Sequence, residues 1–202
     1  ARFNPGNVYA ATKAGGELLC PAYANSFGMK IVVTRCANVF GPGQSEEKYI
    51  PLVIRKVLAG ETVQIHAKWE TFDVNGFHAA MPVQRPATRL YTYQANVTAA
   101  VLHVLEHGEC IEGEDASSGR FNIASGDEFS NLDVAHGIAR LLGKPLYHEL
   151  VVDPPGRPKP DMRYSIDASK LIASGWAPTV GFDEGLRITV EAELAQLREA
   201  AE

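Results

Sequence analysis

The sequence predicts an α/β fold, in which helices pack on parallel strands. A helix-like stretch from Val8 to about Phe27 ends at Gly28 and is followed by the β-branched run Lys30-Ile-Val-Val-Thr-Arg-Cys-Ala37. Such a compact apolar run is typical of a strand buried on both faces of a parallel sheet. The helix and the strand together form half of a strand–helix–strand unit. Asn38 to Gln44 follows at the carboxyl end of the strand, where open α/β sheets bind ligands.

The next stretch combines a regular helix with an irregular segment. Tyr49 to Ala59 carries its apolar residues on one stripe and stops at Gly60, which predicts a packed amphipathic helix. Val63 to His66 is predicted to be a short strand. Residues 67–88 show no clear period, and a loop of that length is uncommon inside a compact domain. We predict that this segment is functional, paired as a hairpin or mobile, and that it serves as a lid or a contact arm.

The second half of the chain alternates further strands and helices. Arg89 to Tyr93 is a strand candidate, and Asn96 is predicted to cap a helix from Val97 to Glu106. Ser130 or Asn131 can cap a strong amphipathic helix that follows. The other predicted elements are a strand at Arg120–Ser125, a strand at Leu146–Val152, an extended loop at 153–160, a short helix at Ser169–Ser174 and a long helix from Phe182 to about Ala201.

Composition and charge limit the classes of function. With 202 residues and 46% apolar content, the chain can bury the core of one domain, or of one domain and a part. The formal net charge of -5 argues against general binding to nucleic acid or to a membrane surface. No apolar run reaches the roughly 18 residues of a membrane span, so we predict a cytoplasmic protein. The three cysteines lie far apart without a CxxC pair, which predicts reduced thiols.

Two patterns that suggest binding sites lack essential parts. Gly41-Pro-Gly43 begins like a dinucleotide-binding turn, but the third glycine is missing and Glu46-Glu47 would oppose a phosphate. His103 and His107 are four residues apart on a predicted helix, but no third ligand shares their face. We therefore predict neither a glycine-rich phosphate turn here nor a metal site.

Tyr9 and Lys13 form a pair with a possible chemical use. Residues four apart on a helix share a face, so the phenol would lie beside the ammonium group. A free tyrosine has a pKa of about 10, which is high for a base at neutral pH, and a neighbouring cation lowers it. Such a tyrosine can exchange a proton with a sugar hydroxyl or carbonyl group. The alternative is an ordinary helix start with a half-exposed tyrosine and a solvated lysine.

Several motifs occur together in one order along the chain. They are Tyr9-Ala-Ala-Thr-Lys-Ala14, Thr34-Arg-Cys-Ala-Asn-Val-Phe-Gly-Pro42, Lys48-Tyr-Ile-Pro51, Arg89-Leu-Tyr91, Phe121-Asn-Ile123, Asn131-Leu132, Arg157-Pro-Lys-Pro-Asp-Met-Arg-Tyr164, Asp167-Ala-Ser-Lys-Leu171 and Gly175-Trp-Ala-Pro178. In these motifs the chain resembles the carboxyl-terminal part of extended short-chain dehydrogenase/reductases. Within that group it is most similar to the NAD-dependent nucleotide-sugar epimerases and dehydratases, particularly dTDP-glucose 4,6-dehydratase-like members.

The resemblance implies a more specific architecture. The fold would be the carboxyl-terminal part of a doubly wound, Rossmann-like parallel sheet plus a small α/β substrate-binding lobe. Residues 1–62 would end the NAD-binding domain, and residues 63–202 would form mainly the lobe. Residues 95–126 would return to the Rossmann sheet.

The resemblance also implies a catalytic pair and a set of substrate contacts. Tyr9 would donate or accept the proton at the active site, while Lys13 would lower the pKa of Tyr9 and bind the nicotinamide ribose. The cofactor, NAD or NADP, would be bound by Tyr9, Lys13 and Ala37. The substrate would be a nucleotide-diphosphate sugar bound by Asn38, Lys48, Arg89, Asn131 and Arg157.

The residue types leave other interpretations open for three of the five substrate contacts. Asn38 is also typical of a turn at a strand end, Lys48 of a solvated charge, and Asn131 of a helix cap. The two arginines, Arg89 and Arg157, suit a diphosphate because a planar guanidinium gives paired, charge-assisted hydrogen bonds to phosphate oxygens.

A partner is expected because the family's glycine-rich phosphate turn and its other catalytic residues precede the tyrosine motif. An uncovered strand edge and apolar helix face would also invite association. The predicted partner is another copy of this chain or a separate amino-terminal Rossmann segment. We expect the isolated chain to be inactive, and the alternative function is a non-catalytic binding or assembly module.

Overall fold

The computed structural model describes residues 4–71, 82–112, 118–126, 128–152 and 162–200. The helices are α1 (Val8–Phe27), α2 (Tyr49–Ala59), α3 (Gln94–His107), α4 (Asn131–Leu142), α5 (Ser169–Ala173) and α6 (Phe182–Glu199). The strands are β1 (Val33–Cys36), β2 (Asn38–Phe40), β3 (Val63–Thr71), β4 (Pro82–Pro86), β5 (Thr88–Tyr93), β6 (Arg120–Ile123), β7 (Glu128–Ser130), β8 (His148–Val152) and β9 (Arg163–Tyr164). Helices alternate with strands, which confirms the predicted α/β class.

Three small sheets form within the described ranges. Strand β1 pairs in parallel with β6. Strand β5 pairs in parallel with β2 and β9 and antiparallel with β7. In the third sheet β3 lies between β4, which is antiparallel to it, and β8, which is parallel. The division of the chain into residues 1–62 and 63–202 stays a prediction.

The largest core lies between helices α2, α4 and α6 and the strands beside them. Ile54 of α2, Ile138 of α4 and Leu186 of α6 are each no more than 2% exposed. Burial of an aliphatic side chain of this size contributes about 1.5–3 kcal/mol. Phe182, at the start of α6, stacks on Phe129 with ring centroids 4.0 Å apart. This core supports the strand and helix ends that carry the candidate site.

The strongest local signals in the sequence predict helix ends correctly. Helix α2 ends before Gly60, whose φ of 70° lies in the left-handed region that glycine adopts without strain. Helix α4 begins with a capping box between Ser130 and Asp133, in which the Ser130 hydroxyl accepts a hydrogen bond from the Asp133 amide at 3.0 Å. Ser130, rather than Asn131, is therefore the cap of this helix.

The prediction that Asn96 caps the next helix is wrong. Helix α3 begins at Gln94, directly after β5, so Asn96 lies inside its first turn. The Asn96 side chain is fully buried, and its Oδ1 accepts hydrogen bonds from the backbone amides of Thr179 and Val180. These partners lie more than 80 residues away in the chain, so the local sequence does not distinguish a buried asparagine from one that caps a helix.

The irregular stretch at residues 67–88 contains a hairpin, which is one of the three predicted possibilities. Strand β3 continues to Thr71, beyond the predicted end at His66, and pairs with β4 from Ala67↔Pro86 to Thr71↔Pro82. The prolines obscure the strand pattern, but β4 is at the edge of its sheet in the described part of the chain, where proline is tolerated. Residues 72–81 lie outside the described residues, and so does the predicted loop at 153–160.

The chain also changes sheets at the end of the strand that was predicted from Lys30 to Ala37. The long strand expected from Lys30 to Ala37 is limited to Val33–Cys36, and Asn38–Phe40 then forms β2 in a different sheet. Between the two strands, the Ala37 amide donates to the Ile123 carbonyl at 2.9 Å. This short transition places Asn38 in a strand instead of in a turn.

Replacing Arg55 with alanine is expected to lower the free energy of unfolding by about 2 kcal/mol. Arg55 of α2 lies 3.1 Å from the Glu193 carboxylate of α6, which is only 5% exposed, and also pairs with exposed Glu46 at 2.7 Å. Removing the cation leaves a buried carboxylate unpaired, and the partial exposure of Arg55 reduces the cost below that of a wholly buried pair. Chemical denaturation measures the change. Glu46→Gln is the control, with an expected change within about 0.5 kcal/mol, and a similar loss in both variants would contradict this explanation.

Candidate functional site

A cavity of about 480 Å³ brings together the ends of several elements that are distant in sequence. Its wall is formed by the start of β2, the first two turns of α2, the beginning of β3, part of β5 and the first residue of α4. Four residues predicted to bind substrate line it, namely Asn38, Lys48, Arg89 and Asn131. Their contacts with a ligand stay predictions, but their grouping in one cavity follows directly from the fold.

Pairing between two parallel strands places Asn38 near Arg89. Asn38 lies opposite Tyr91 in the β2–β5 ladder, and Arg89 is two residues before Tyr91. Because side chains alternate along a strand, Arg89 and Tyr91 share one face of β5. One guanidinium nitrogen of Arg89, Nη1, donates to the Thr88 carbonyl at 2.7 Å, which restricts the orientation of the side chain. Asn38 makes no side-chain hydrogen bond within the described ranges.

Lys48 immediately precedes α2 and lies at an exposed part of the cavity. Its ammonium group is 3.4 Å from the carboxylate of Glu47, and both side chains are mostly exposed. Such a surface pair contributes little to stability, so an incoming anion can replace Glu47 at small cost. The position is compatible both with ligand binding and with the solvated charge considered above.

Asn131 is held by two tyrosines. The Tyr91 hydroxyl donates to Asn131 Oδ1 at 2.9 Å, and the Tyr49 hydroxyl donates to the Asn131 carbonyl at 2.6 Å. Burial raises the pKa of both tyrosines; for Tyr49 the nearby Tyr91 adds to the rise, whereas for Tyr91 the cation of Arg89 opposes it. Both phenols therefore remain protonated hydrogen-bond donors at neutral pH.

The structure adds cavity residues that the sequence did not single out. Lys56, Gln64, His66, Tyr49 and Tyr91 also line the cavity. One signal was present, since Lys48, Leu52 and Lys56 recur at intervals of four residues and therefore share a helix face. Gln64 and His66 are two apart on β3 and share a strand face. Neither pattern shows which partner element faces it, so neither could identify a cavity.

The charges around the cavity favour an anion. Lys48, Lys56 and Arg89 contribute three cations, while Glu47 is the one carboxylate among the described lining residues. This local excess of positive charge occurs in a chain whose formal net charge is -5. A diphosphate carries the opposite charge, and the amide and hydroxyl groups nearby provide further hydrogen bonds. The arrangement can thus bind a phosphorylated ligand with polar substituents.

Tyr9 and Lys13 lie on the exposed helix α1 and are not among the residues that line the cavity. The Asn7 side chain caps this helix by accepting from the Ala10 amide at 2.8 Å. Tyr9 is 70% exposed, and Lys13 Nζ is 5.6 Å from the centre of its ring, as the helical spacing predicts. The pair is therefore adjacent and accessible.

Two further predicted site residues have different outcomes. Ala37 is 4% exposed, and its amide is already bonded to the Ile123 carbonyl, so its predicted contact with a cofactor stays a prediction. Arg157 lies outside the described residues.

Within the described ranges no group of three or more His, Cys, Asp or Glu side chains is arranged to hold a metal ion. In the same part of the chain, no helix is both long and apolar enough to span a membrane.

Comparison with known proteins identifies the family. The model of the NAD dependent epimerase/dehydratase family matches residues 1–124, which is more than half of the chain. The chain belongs to this family. The resemblance noted in the motifs is thereby confirmed.

Individual family members show the extent of the similarity. The low-salt glycan biosynthesis protein Agl12 of Haloferax volcanii is 34% identical over 188 residues, which are 93% of this chain and 52% of that protein. The dTDP-glucose 4,6-dehydratase of Salmonella typhimurium is 32% identical over 199 residues, covering 96% of this chain and 49% of that enzyme. The chain thus spans about half the length of these two family members.

A solved family structure has the same fold. The structure of a double mutant of the dTDP-glucose 4,6-dehydratase DesIV from Streptomyces venezuelae, with NAD bound, superposes with a TM-score of 0.75 at 28% identity. The match covers 98% of this chain and 54% of the DesIV chain. This similarity confirms the predicted Rossmann-like α/β class.

Proposed function

We propose that this chain forms the substrate-binding part of an NAD-dependent nucleotide-sugar 4,6-dehydratase or epimerase. The observation that carries the proposal is the single cavity shared by Asn38, Lys48, Arg89 and Asn131, with its local excess of cations. Arg89 and Lys48 would neutralise the diphosphate, and Asn38 would donate from its amide to a phosphate oxygen. Arg157 would add the second guanidinium to the diphosphate site.

Tyr9 is proposed to exchange a proton with the sugar. Its hydroxyl is exposed on α1, and the ammonium group of Lys13 lies one helical turn away. A positioned acid or base of this kind contributes about 10²- to 10⁴-fold to the rate of a reaction. Lys13 would favour the negatively charged form of the phenol and donate hydrogen bonds to a ribose hydroxyl.

The residues of α1 fit NAD, the cofactor bound in the DesIV structure. The fit rests on the exposed phenol and ammonium pair, which offers donors suited to ribose hydroxyl groups. When bound, NAD would supply hydride acceptance and return during the reaction. Ala37 has a small side chain at the crossing between two sheets, and this is proposed to leave space for the cofactor.

A partner is proposed to cover α1. The helix has no buried residue, and Val8, Leu18 and Phe27 are all more than half exposed. The proposed occupant is another copy of the chain or a separate Rossmann segment, as the sequence predicts. Catalysis is expected only when such a partner covers α1.

Titration calorimetry of UDP, dTDP and their glucose conjugates into the purified chain tests the cavity. Arg89→Gln is expected to weaken diphosphate binding by about 10- to 100-fold, because a charge-assisted hydrogen bond contributes about 1.5–3 kcal/mol. Arg85→Gln is the matched control, since Arg85 lies on β4, the strand that precedes β5 in the chain, and is not among the cavity-lining residues. Arg157→Ala tests the second predicted guanidinium.

The outcomes separate the two functions considered for this chain. Loss of binding in Arg89→Gln with retention in Arg85→Gln supports the proposed substrate site. Equal binding by the parent chain and Arg89→Gln would overturn the role given to Arg89. Failure of the folded parent chain to bind any of these ligands would favour the alternative of a non-catalytic binding or assembly module.

A further inference from the structure

Asn131 is held on the cavity wall by two backbone hydrogen bonds and one side-chain hydrogen bond. Its backbone amide donates to the Ala87 carbonyl at 2.9 Å, and its carbonyl accepts from the Tyr49 hydroxyl at 2.6 Å. Its side-chain oxygen accepts from the Tyr91 hydroxyl at 2.9 Å. Three groups, one at the start of α2 and two in the segment 87–91, therefore hold one residue.

These hydrogen bonds determine which end of the carboxamide is available. A carboxamide has an oxygen that accepts and an NH₂ group that donates. Tyr91 occupies the oxygen, whereas Nδ2 makes no hydrogen bond to another described residue. In the reverse orientation of the carboxamide, Nδ2 would point at the Tyr91 hydroxyl. The hydroxyl proton of Tyr91 would then need another acceptor, and the described part of the chain shows none. The NH₂ group is consequently the end that remains for a ligand.

We propose that Tyr91 and Tyr49 are positioning residues that hold the Asn131 NH₂ group as a hydrogen-bond donor to an oxygen acceptor on the bound nucleotide. This inference rests on the proposed nucleotide-sugar function and adds a determinant of specificity to it. The site thereby favours a phosphate oxygen or a base carbonyl at this point over an amino group. Tyr91 fixes the side chain, and Tyr49 fixes the backbone from which that side chain projects.

The burial of the two tyrosines supports this arrangement. Tyr91 is only 7% exposed and belongs to the main core, where its ring packs against Phe40 with centroids 6.1 Å apart. A phenol held in a packed core cannot follow the ligand, so the orientation of Asn131 is determined before binding. Such preorganisation reduces the entropy that is lost when a ligand binds.

A double-mutant cycle with UDP as the probe tests the inference. Tyr91→Phe keeps the ring and removes the hydroxyl, and we expect UDP to bind about 5- to 10-fold more weakly, as for loss of one oriented hydrogen bond. In an Asn131→Ala background, the same Tyr91→Phe change is expected to alter affinity by less than about 2-fold, because its target is gone. Tyr49→Phe is expected to follow the same pattern with a smaller loss.

The control is Tyr93→Phe, because Tyr93 lies on the same strand and is 8% exposed but is not among the cavity-lining residues. It is expected to leave UDP affinity unchanged. Thermal unfolding of each variant confirms that the protein is folded at the titration temperature. If the tyrosine had a merely structural role, its replacement by phenylalanine would weaken UDP binding equally whether or not Asn131 is present.

ADP distinguishes the two possible acceptors, because it retains the diphosphate but its base has no carbonyl. Equal losses for ADP and UDP in Tyr91→Phe identify a phosphate oxygen, while a loss confined to UDP identifies a base carbonyl. Unchanged UDP affinity in folded Tyr91→Phe, or an equal loss in both backgrounds, would overturn the positioning role and leave the proposed function intact. Failure of the parent chain to bind UDP would overturn both the inference and its basis.

Discussion

Replacing Tyr9 with phenylalanine is expected to lower kcat of the proposed enzyme, in its NAD-loaded and assembled form, by about 10²- to 10⁴-fold. The substitution removes the hydroxyl that is proposed to exchange a proton with the sugar. It keeps the aromatic ring, whose centre is 5.6 Å from Lys13 Nζ, so the surroundings of the lysine change little. Steady-state turnover of a nucleotide sugar measures the effect.

Nucleotide binding should respond differently from turnover in this variant. Tyr9 is not among the residues that line the cavity, so the dissociation constant for a nucleotide diphosphate is expected to stay within about 2-fold of the parent value. Tyr23→Phe is the matched control on the same helix, because Tyr23 is also exposed and has no proposed chemical role. Retention of more than a tenth of kcat by Tyr9→Phe would refute the proton-transfer role.

Replacing Asn96 with alanine is expected to lower the free energy of unfolding by about 3 kcal/mol. Its Oδ1 accepts from the amides of Thr179 at 3.0 Å and Val180 at 3.1 Å, and its Nδ2 donates to the Val180 carbonyl at 2.7 Å. Alanine would leave three backbone groups without these partners at a fully buried position, and each such loss costs about 1 kcal/mol. Urea denaturation gives the difference from the change in midpoint at constant slope.

A neighbouring hydroxyl provides the control for Asn96. Thr98 lies on the same helix, and its exposed hydroxyl donates to the Gln94 carbonyl at 3.2 Å. Thr98→Ala is expected to change stability by no more than about 0.5 kcal/mol, because water can replace that hydrogen bond. A loss below 1 kcal/mol in Asn96→Ala would show that water or backbone movement compensates for the missing amide.

The helices of this protein could be predicted from local sequence because their signals lie within a few turns. Helix α2 has an apolar stripe and a following glycine, and helix α4 has a serine that caps it and a glycine that ends it. These features act between residues three or four positions apart. The predicted boundaries of these two helices therefore agree closely with the structure, as do Val8 and Phe27 at the ends of α1, whereas α3 begins three residues before the predicted Val97.

The cavity residues could not be predicted from local sequence patterns. Only the resemblance of their motifs to a family relates Asn38, Lys48, Arg89 and Asn131, since no local pattern connects residues so far apart in the chain. The structure places them on β2, before α2, on β5 and at the start of α4, and these elements converge on one cavity. Lys56 and His66 were missed because only the converging elements show that their side chains face the same space.

By itself the sequence determined the α/β class, the positions of the helices and the adjacency of Tyr9 and Lys13, because all three follow from periodicity and short spacing. Only the tertiary structure decided that the chain changes sheets at Ala37, that Asn96 is buried instead of capping a helix, and that two tyrosines restrain Asn131. Each of these depends on partners that are distant in sequence. The physical reason is that a hydrogen bond or a strand pairing forms between groups that meet in space. For groups distant in sequence, the path of the folded chain decides whether they meet.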